Sequence, residues 1–266
     1  MTAVLRIRRA AVAGAFYPAD AHELMTQVDA LLAGARASAS SHRPAPKALI
    51  VPHAGYVYSG PVAATAYARI AVLKGRIRRV VLVGPAHRVW FEGVAEAGAD
   101  GFETPLGTMR TPRADAPNVI SSARAHAGEH SLEVQLPFLQ RTLGDVDVIP
   151  LLAGDASTES VAGVLEALWG GPDTLILISS DLSHYHSWDQ ARRIDGESAA
   201  QIDALGPPLT HDQACGATPV NGLLLVARRK GLQVDRLDLR NSGDTAGPRD
   251  QVVGYGAFAF YEHDAG

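Results

Sequence analysis

The chain has 266 residues, of which 47% are apolar and 20% are charged. This length fits one large α/β domain or two small ones, and the composition is ordinary for a globular protein with a sizeable core. A formal net charge of −4 provides no electrostatic footprint for nucleic acid or an anionic membrane. No apolar run approaches the roughly 20 residues of a membrane span, and the basic N-terminus is too poor in apolar residues for a signal peptide. We therefore expect a cytoplasmic protein.

The first predicted element is a helix over residues 20–32, with Asp20 as its N-cap and Gly34 as its stop. An Ala-, Ser- and Pro-rich stretch over 35–46 predicts a surface loop. Further on, Pro61 marks the start of another predicted helix. The predicted helices after the loop cover residues 61–73, 131–143, 157–169, 189–205 and 219–230.

Short β-branched runs bounded by Gly, Pro or Asp alternate with these helices and suit strands buried on both faces of a sheet. A segment over 98–112 predicts a hairpin-like insertion. This alternation predicts an α/β fold, a layered sandwich whose central, mostly parallel or mixed sheet is flanked by helices. With no internal repeat and no long linker, residues 1–266 are expected to form a single domain. The predicted strands cover 47–51, 79–84, 146–152, 174–179, 233–239 and 252–261.

Histidines follow three of the first four predicted strands. His53 follows the first apolar run, His87 the second and His184 the fourth, whereas Asp155 follows the third. Ligands of open α/β sheets bind beyond the carboxyl ends of the strands, so these three histidines are expected to share one cleft. Six other histidines have no such placement and are predicted to be surface or loop residues: His22, His42, His126, His186, His211 and His263.

Two histidines from adjacent strand ends supply two ligands of a metal site, since imidazole suits Fe, Zn, Cu and Ni. Cys215, the one cysteine of the chain, is the candidate third ligand, because it precedes a predicted helix whose N-terminus favours thiolate. Gly216 would let the backbone approach closely there. The alternative is a buried, inert thiol. Asp181 is a candidate carboxylate for orienting His184 or His87, and otherwise a helix cap or turn residue.

His130 opens the predicted helix over 131–143 and is interpreted as a first-turn residue, with Glu133 as a candidate further polar group of the cleft. Other chemistries have less support. The sequence contains no Gly-rich dinucleotide motif, no phosphate-binding loop, no Gly-x-Ser-x-Gly and no Cys-x-x-Cys pair.

Five ordered motifs resemble those of the Memo family, which is often named AmmeMemoRadiSam system protein B in bacteria and archaea. The resemblance extends from about residue 10 to residue 262 and covers nearly the whole chain. The motifs are PHAGYVYSG at 52–60, GPAH at 84–87, EHSLE at 129–133, SSDLSH at 179–184 and CG at 215–216.

The Memo family is similar in fold to the class III extradiol dioxygenases, which hold non-haem Fe(II) with two histidines and a glutamate. The resemblance implies that His53 and His87 are metal ligands and that Cys215 stands where the dioxygenases have a carboxylate. It implies that His184 is the acid/base histidine of a pocket lined by Asp181, His130 and Tyr56. Fe(II) is the expected divalent metal, with Cu and Zn as alternatives because thiolate is a softer ligand than carboxylate.

Two functions are consistent with these residues. The first is a metal-dependent, iron-based redox enzyme related to ring-cleaving dioxygenases, in which His184 moves protons and Asp181 fixes its orientation. The second is a non-catalytic module that binds a metal, a small molecule or a peptide and acts with partner proteins. The family name implies association with a radical-SAM protein and an AMMECR1-type protein. A weaker third hypothesis is hydrolysis with Cys215 as the nucleophile.

Overall fold

The structure is a computed structural model that describes residues 5–38 and 45–262. Most of the predicted strands and helices are present, with ends that differ by a few residues. The strands are β1 (Ile7–Arg8), β2 (Ala48–Val51), β3 (Arg79–Pro85), β4 (Val94–Glu96), β5 (Gly101–Thr104), β6 (Gly107–Arg110), β7 (Val119–Ser121), β8 (Asp147–Ala153), β9 (Thr174–Ser179), β10 (His184–His186), β11 (Gln233–Asn241) and β12 (Val252–Tyr261). The helices are α1 (Ala21–Ser38), α2 (Tyr56–Ile70), α3 (Ala123–Ala127), α4 (Leu136–Thr142), α5 (Thr158–Ala167), α6 (Trp188–Asp203), α7 (Ala217–Lys230) and α8 (Ser242–Thr245).

A mixed sheet forms the centre of the molecule. Strands β2, β9, β3 and β8 are parallel and adjacent in that order, and β12 and β4 flank them in antiparallel orientation. β10 and β11 both pair with β12, and β7 extends the far edge beside β4. The predicted mixed sheet flanked by helices is confirmed. The parallel block matters for function because it directs four strand ends to one edge.

Alternate residues of the central strands face two separate apolar cores. Leu49, Val51 and Leu82 belong to one core, and Ile50 and Val81 to the other. Helices α1, α2 and α4 contribute to the first core, and α5, α6 and α7 to the second. The sheet is therefore the middle of three layers, which explains why its strands are apolar on both faces.

Three helix boundaries differ from the prediction by about five residues. The helix predicted from residue 131 begins at Leu136, after a 3-10 turn over Glu133–Gln135. α2 begins at Tyr56, where the carbonyl of the preceding Gly55 accepts the N–H groups of Tyr58 and Ser59. Pro61, predicted to start this helix, lies inside it. α1 continues to Ser38, so the loop predicted from residue 35 begins later; residues 39–44 lie outside the described part of the chain.

The segment over 98–112 contains the predicted hairpin. β5 and β6 pair in antiparallel orientation, and β1 joins β5 in parallel to complete a small three-stranded sheet. This sheet joins β1, near the start of the chain, to the β5–β6 hairpin. Among the described residues, no helix has the length and apolar character needed to cross a membrane.

Candidate metal centre

Three strand ends meet at one edge of the central sheet. His53 lies two residues after β2, Asp181 two residues after β9, and His87 two residues after β3. β9 lies between β2 and β3, so the two histidines come from strands two apart rather than from adjacent strands. Their imidazoles nevertheless converge, with ring centroids 5.2 Å apart and planes at 76°.

Cys215 brings a sulfur atom to this pair of histidines. Its Sγ lies 3.2 Å from Nε2 of His53, and one ligand atom each from His53, His87 and Cys215 lies within 4.8 Å of the others. The close approach of this segment to β9 depends on Gly216, where a Cβ would lie 2.6 Å from Cβ of Ser180. The structure therefore brings two imidazoles and one thiol together at one candidate site.

Hydrogen bonds define the tautomer of His53. The Ser179 hydroxyl lies 2.6 Å from the Ser131 carbonyl oxygen, so its one proton is donated there. Its oxygen accepts Nε2–H of Gln135 at 2.8 Å and lies 2.9 Å from Nδ1 of His53. With no proton left to donate, the hydroxyl accepts from Nδ1–H of His53. Nε2 of His53, the atom that faces Cys215, therefore carries a free lone pair.

A carboxylate orients His87 in the same sense. Nδ1 of His87 donates to Oε1 of Glu129 at 2.9 Å, and the backbone N–H of His87 donates to Oε2 at 2.7 Å. Nε2 of His87 is again the free acceptor. Such outer hydrogen bonds are the usual support of metal-binding histidines. Both imidazoles thus have the tautomer that a metal ligand needs.

Glu129 is a candidate functional residue that the sequence analysis did not predict. It also accepts the N–H groups of His130 and Ser131 at 2.9 and 3.0 Å. Burial would raise its pKa, but the contacts with the imidazoles of His130 and His87 outweigh burial and hold the pKa well below its usual range. The carboxylate is therefore ionised. The sequence signal was a glutamate next to His130 in the motif at 129–133.

The Cys215 thiol is protonated at neutral pH in the metal-free protein. Burial raises its pKa, and the nearby carboxylate of Asp181 adds to this effect. The backbone N–H of Gly216, at the start of the following helix, lowers the pKa of the thiol as the sequence analysis expected, but burial outweighs it. Metal binding at this sulfur requires loss of the thiol proton.

His184 and Asp181 lie in the same cleft with partners that differ from the predicted ones. Nδ1 of His184 donates to the Leu182 carbonyl at 2.8 Å, which leaves Nε2 as an acceptor. Oδ1 of Asp181 accepts the backbone N–H of His53 at 2.7 Å. The orienting role predicted for Asp181 thus falls to the Leu182 carbonyl for His184 and to Glu129 for His87.

His130 and Tyr56, both predicted to line the pocket, have different environments. The His130 ring stacks on His87 with centroids 4.7 Å apart and lines the cleft. Tyr56 is buried, donates its hydroxyl to the Val134 carbonyl at 2.6 Å, and packs against Phe138. Tyr56, the first residue of α2, therefore belongs to the core and not to the lining of the cleft.

Glu133, a candidate polar group of the cleft, instead belongs to a buried network beside the N-terminal segment. It forms an ion pair with Arg8 and accepts the backbone N–H groups of Ala11 and Val12 at 2.8 and 3.0 Å. The Tyr17 hydroxyl donates to it at 2.5 Å. These partners occupy the carboxylate fully and hold residues 8–17 on the core.

The candidate ligands His53, His87 and Cys215 line a cleft of about 1050 Å³. His186 and His211 also line this cleft. His211 lies exposed in a turn, as the sequence analysis expected, whereas His186 is a half-buried residue of β10. His126 is buried, with Nε2 donating to the Ala95 carbonyl at 2.9 Å. His22 is exposed, as expected. His42 and His263 lie outside the described residues.

Comparison with known proteins identifies similar chains over nearly the full length of this one. A family profile described as Memo-like protein matches residues 8–259. A MEMO1 family protein of Ignicoccus hospitalis is 37% identical over 96% of this chain and 98% of its own length. A MEMO1 family protein of Aquifex aeolicus is 35% identical over 94% of this chain and 98% of its own. A third, from Pyrobaculum aerophilum, is 33% identical over 97% of this chain.

Proposed function

Since the chain belongs to the Memo family, we propose that it binds one divalent metal ion, Fe(II), and acts as a dioxygenase-like redox enzyme. The proposed ligands are Nε2 of His53, Nε2 of His87 and Sγ of Cys215. His184 is the proposed acid/base residue. The strand ends, the cysteine segment and the cleft above them support one site rather than three unrelated residues.

The observation that carries the proposal is the matched tautomer of the two histidines. Ser179 accepts from Nδ1 of His53, and Glu129 accepts from Nδ1 of His87. Nε2 of His53 then lies 3.2 Å from Sγ of Cys215, and one ligand atom each from His53, His87 and Cys215 lies within 4.8 Å of the others. Two histidines of which one is buried and one reaches the cleft, each held at Nδ1 by its own protein acceptor and gathered beside one thiol, match the arrangement of supported metal ligands.

The residues present fit a metal with nitrogen and sulfur ligands and with positions open to the cleft. Imidazole suits iron, copper and zinc, whereas thiolate shifts the preference toward softer ions. When bound, iron would supply a redox-active Lewis acid next to the open cleft. Copper and zinc are the competing metals, and metal analysis distinguishes them.

The proposed role of His184 is to move a proton at Nε2. Its Nδ1–H is held by the Leu182 carbonyl, so the ring orientation is fixed and Nε2 is free to accept a proton from a bound hydroxyl group. The buried Asp181 lines the same cleft. Burial raises the pKa of its carboxyl, whereas His184 lowers it, so the ionised form of Asp181 and the imidazolium of His184 would stabilise each other. The other walls of the cleft position the substrate and limit the access of water.

The ligand assignment is tested by metal analysis of protein purified without oxygen. Wild type is expected to retain about one iron per chain, and His53→Ala and Cys215→Ser to lose most of it. His22→Ala, a change at an exposed histidine of α1, serves as the matched control. Full iron occupancy in both site variants contradicts the assignment.

Catalysis is tested by oxygen consumption and product formation with catechol-like compounds. His184→Ala is expected to abolish turnover while retaining the metal, because His184 is assigned to proton transfer and not to metal binding. If the loaded protein turns over none of these compounds but binds a peptide or protein partner without metal, the non-catalytic module is the correct function.

A further inference from the structure

Three consecutive residues, His184, Tyr185 and His186, line the same cleft. In a regular strand, successive side chains point to opposite faces. Here His184 pairs with Val253 and His186 with Val252, so Tyr185 is an extra residue between neighbouring partners, and β10 is bulged. Bulges of this kind re-aim side chains next to active sites.

Tyr185 occupies a costly backbone conformation. Its φ is +61°, in the left-handed region that a bulky residue rarely adopts. The residue is 72% exposed, and its ring meets the His184 ring edge-on, with centroids 5.7 Å apart. The residue thus combines backbone strain with an exposed aromatic ring at the cleft, and neither is explained by packing in the core.

The cleft is acidic apart from its histidines. Asp181, Glu197 and Asp212 line it, and no lysine or arginine does so in the part of the chain that the structure describes. Asp181 is buried, whereas Glu197 and Asp212 are exposed at the outer part of the cleft. Negative charge here attracts cations and repels anions, and the low-dielectric walls strengthen the effect.

We propose that Tyr185 is a substrate-positioning residue that forms an aromatic wall of the cleft, and that the substrate is a planar or aromatic molecule whose remaining part is uncharged or cationic. The inference rests on the proposed function in using the same cleft. A flat substrate packs against the Tyr185 ring by aromatic contact, and a cationic group gains from the tyrosine face and from the carboxylates.

Three catechols with the same ring and different tails test the charge requirement: dopamine is cationic, 4-(2-hydroxyethyl)catechol is neutral, and 3,4-dihydroxyphenylacetate is anionic. Binding is measured without oxygen at pH 8, where most histidines are neutral, with metal-free and Fe(II)-loaded protein. Dopamine is expected to bind at least about tenfold more tightly than the anionic probe. Added salt should reduce this ratio.

Charge reversal at Asp212 sharpens this test. Asp212→Lys is expected to shrink the dopamine preference severalfold, whereas Asp115→Lys, at an exposed acid outside the cleft lining, should leave it unchanged. Equal binding of dopamine and 3,4-dihydroxyphenylacetate by wild type overturns the charge requirement, and so does an equal effect of the two lysine variants.

The role of the ring is tested with Tyr185→Gly and Tyr185→Phe. Glycine relieves the positive φ, so the urea midpoint of Tyr185→Gly should equal or exceed that of wild type. Its affinity for dopamine should nevertheless fall about three- to tenfold, the typical worth of an aromatic contact. Tyr185→Phe should retain wild-type affinity within about twofold.

Asn118 provides the matched control, since it is exposed and has φ of +60° outside the cleft lining. Asn118→Gly should leave dopamine binding unchanged. If Tyr185→Gly binds dopamine as tightly as wild type, or loses stability and affinity together, the positioning role is wrong. Because the preference is measured in metal-free protein too, its failure is separate from loss of iron in His53→Ala.

Discussion

Glu129 and Glu133 lie one helical turn apart in sequence and are both buried, yet the networks around them differ in one respect. The network of Glu133 is closed: Arg8, two backbone N–H groups and the Tyr17 hydroxyl satisfy the carboxylate. The network of Glu129 is open, because it leads through His87 to a nitrogen that faces the cleft. The closed network stabilises the fold, and the open one prepares a binding site.

The largest expected effect comes from breaking the closed network. Glu133→Gln leaves the buried Arg8 without its counter-charge and should lower the free energy of unfolding by about 3–5 kcal/mol. Arg141→Met removes one partner of the partly exposed ion pair with Asp29 and should lower the free energy of unfolding by less than about 1 kcal/mol. Urea unfolding measures both. A change below 1 kcal/mol for Glu133→Gln would show that this network does not stabilise the fold.

Acid should weaken the same region through His126, whose carbonyl accepts Nε–H of Arg8. The pKa of His126 is lowered from 6.5 to about 4, and burial is the main cause. Arg8 also lowers the pKa, whereas the Ala95 hydrogen bond, Glu129 and Glu96 oppose the shift.

The folded state thus favours neutral His126. The stability that this residue contributes is fully present above pH 6.5 and is lost as the pH falls toward 4. The full loss is about 3 kcal/mol. His126→Gln, which keeps a donor for Ala95, should flatten the stability curve between pH 6.5 and 4. His22→Gln should not, and an unchanged curve in His126→Gln contradicts the assignment.

Weakening the open network of Glu129 should affect metal binding more than stability. Glu129→Gln keeps the size of the side chain but removes the charge that holds Nδ1–H of His87. The affinity for Fe(II) is expected to fall about 10- to 100-fold, the usual effect of losing such an outer partner. Competition with a metal-binding dye measures it. Unchanged affinity would show that Glu129 is not coupled to the site.

The smallest expected effect is that of Ser179→Ala. Nδ1–H of His53 loses its hydrogen-bond acceptor, and the Gln135 amide loses one of its two acceptors. The imidazoles of His53 and His87 remain packed. We expect a fall in metal affinity of about tenfold or less. Ser160→Ala, at a half-buried position of α5 outside the cleft lining, is the control. A loss larger than that of Glu129→Gln would reverse the proposed ranking of the two supports.

The sequence predicted the strand ends but not the partners of the residues that follow them. His53, His87 and Cys215 could be grouped because parallel strands and a helix start direct them to one edge. Glu129 could not be linked to His87, because only the fold brings residues 42 positions apart within 2.9 Å. Periodicity places elements, whereas hydrogen-bond partners depend on tertiary structure.

Local sequence signals also failed to predict the start of α2 and the cleft positions of two histidines. Pro61 indicated a helix start, but the chain begins α2 at Tyr56, which turns that tyrosine into the core. His186 and His211 lacked any strand-end signal, and a bulge in β10 and the loop before α7 bring them to the cleft.

The most direct test is an anomalous difference map of the iron-loaded crystal, measured at the iron absorption edge. We predict one peak shared by Nε2 of His53, Nε2 of His87 and Sγ of Cys215. A peak between His87, Glu129 and His130, the other group of ligand atoms within reach of one another, or no peak in protein that contains iron, would contradict the proposed site.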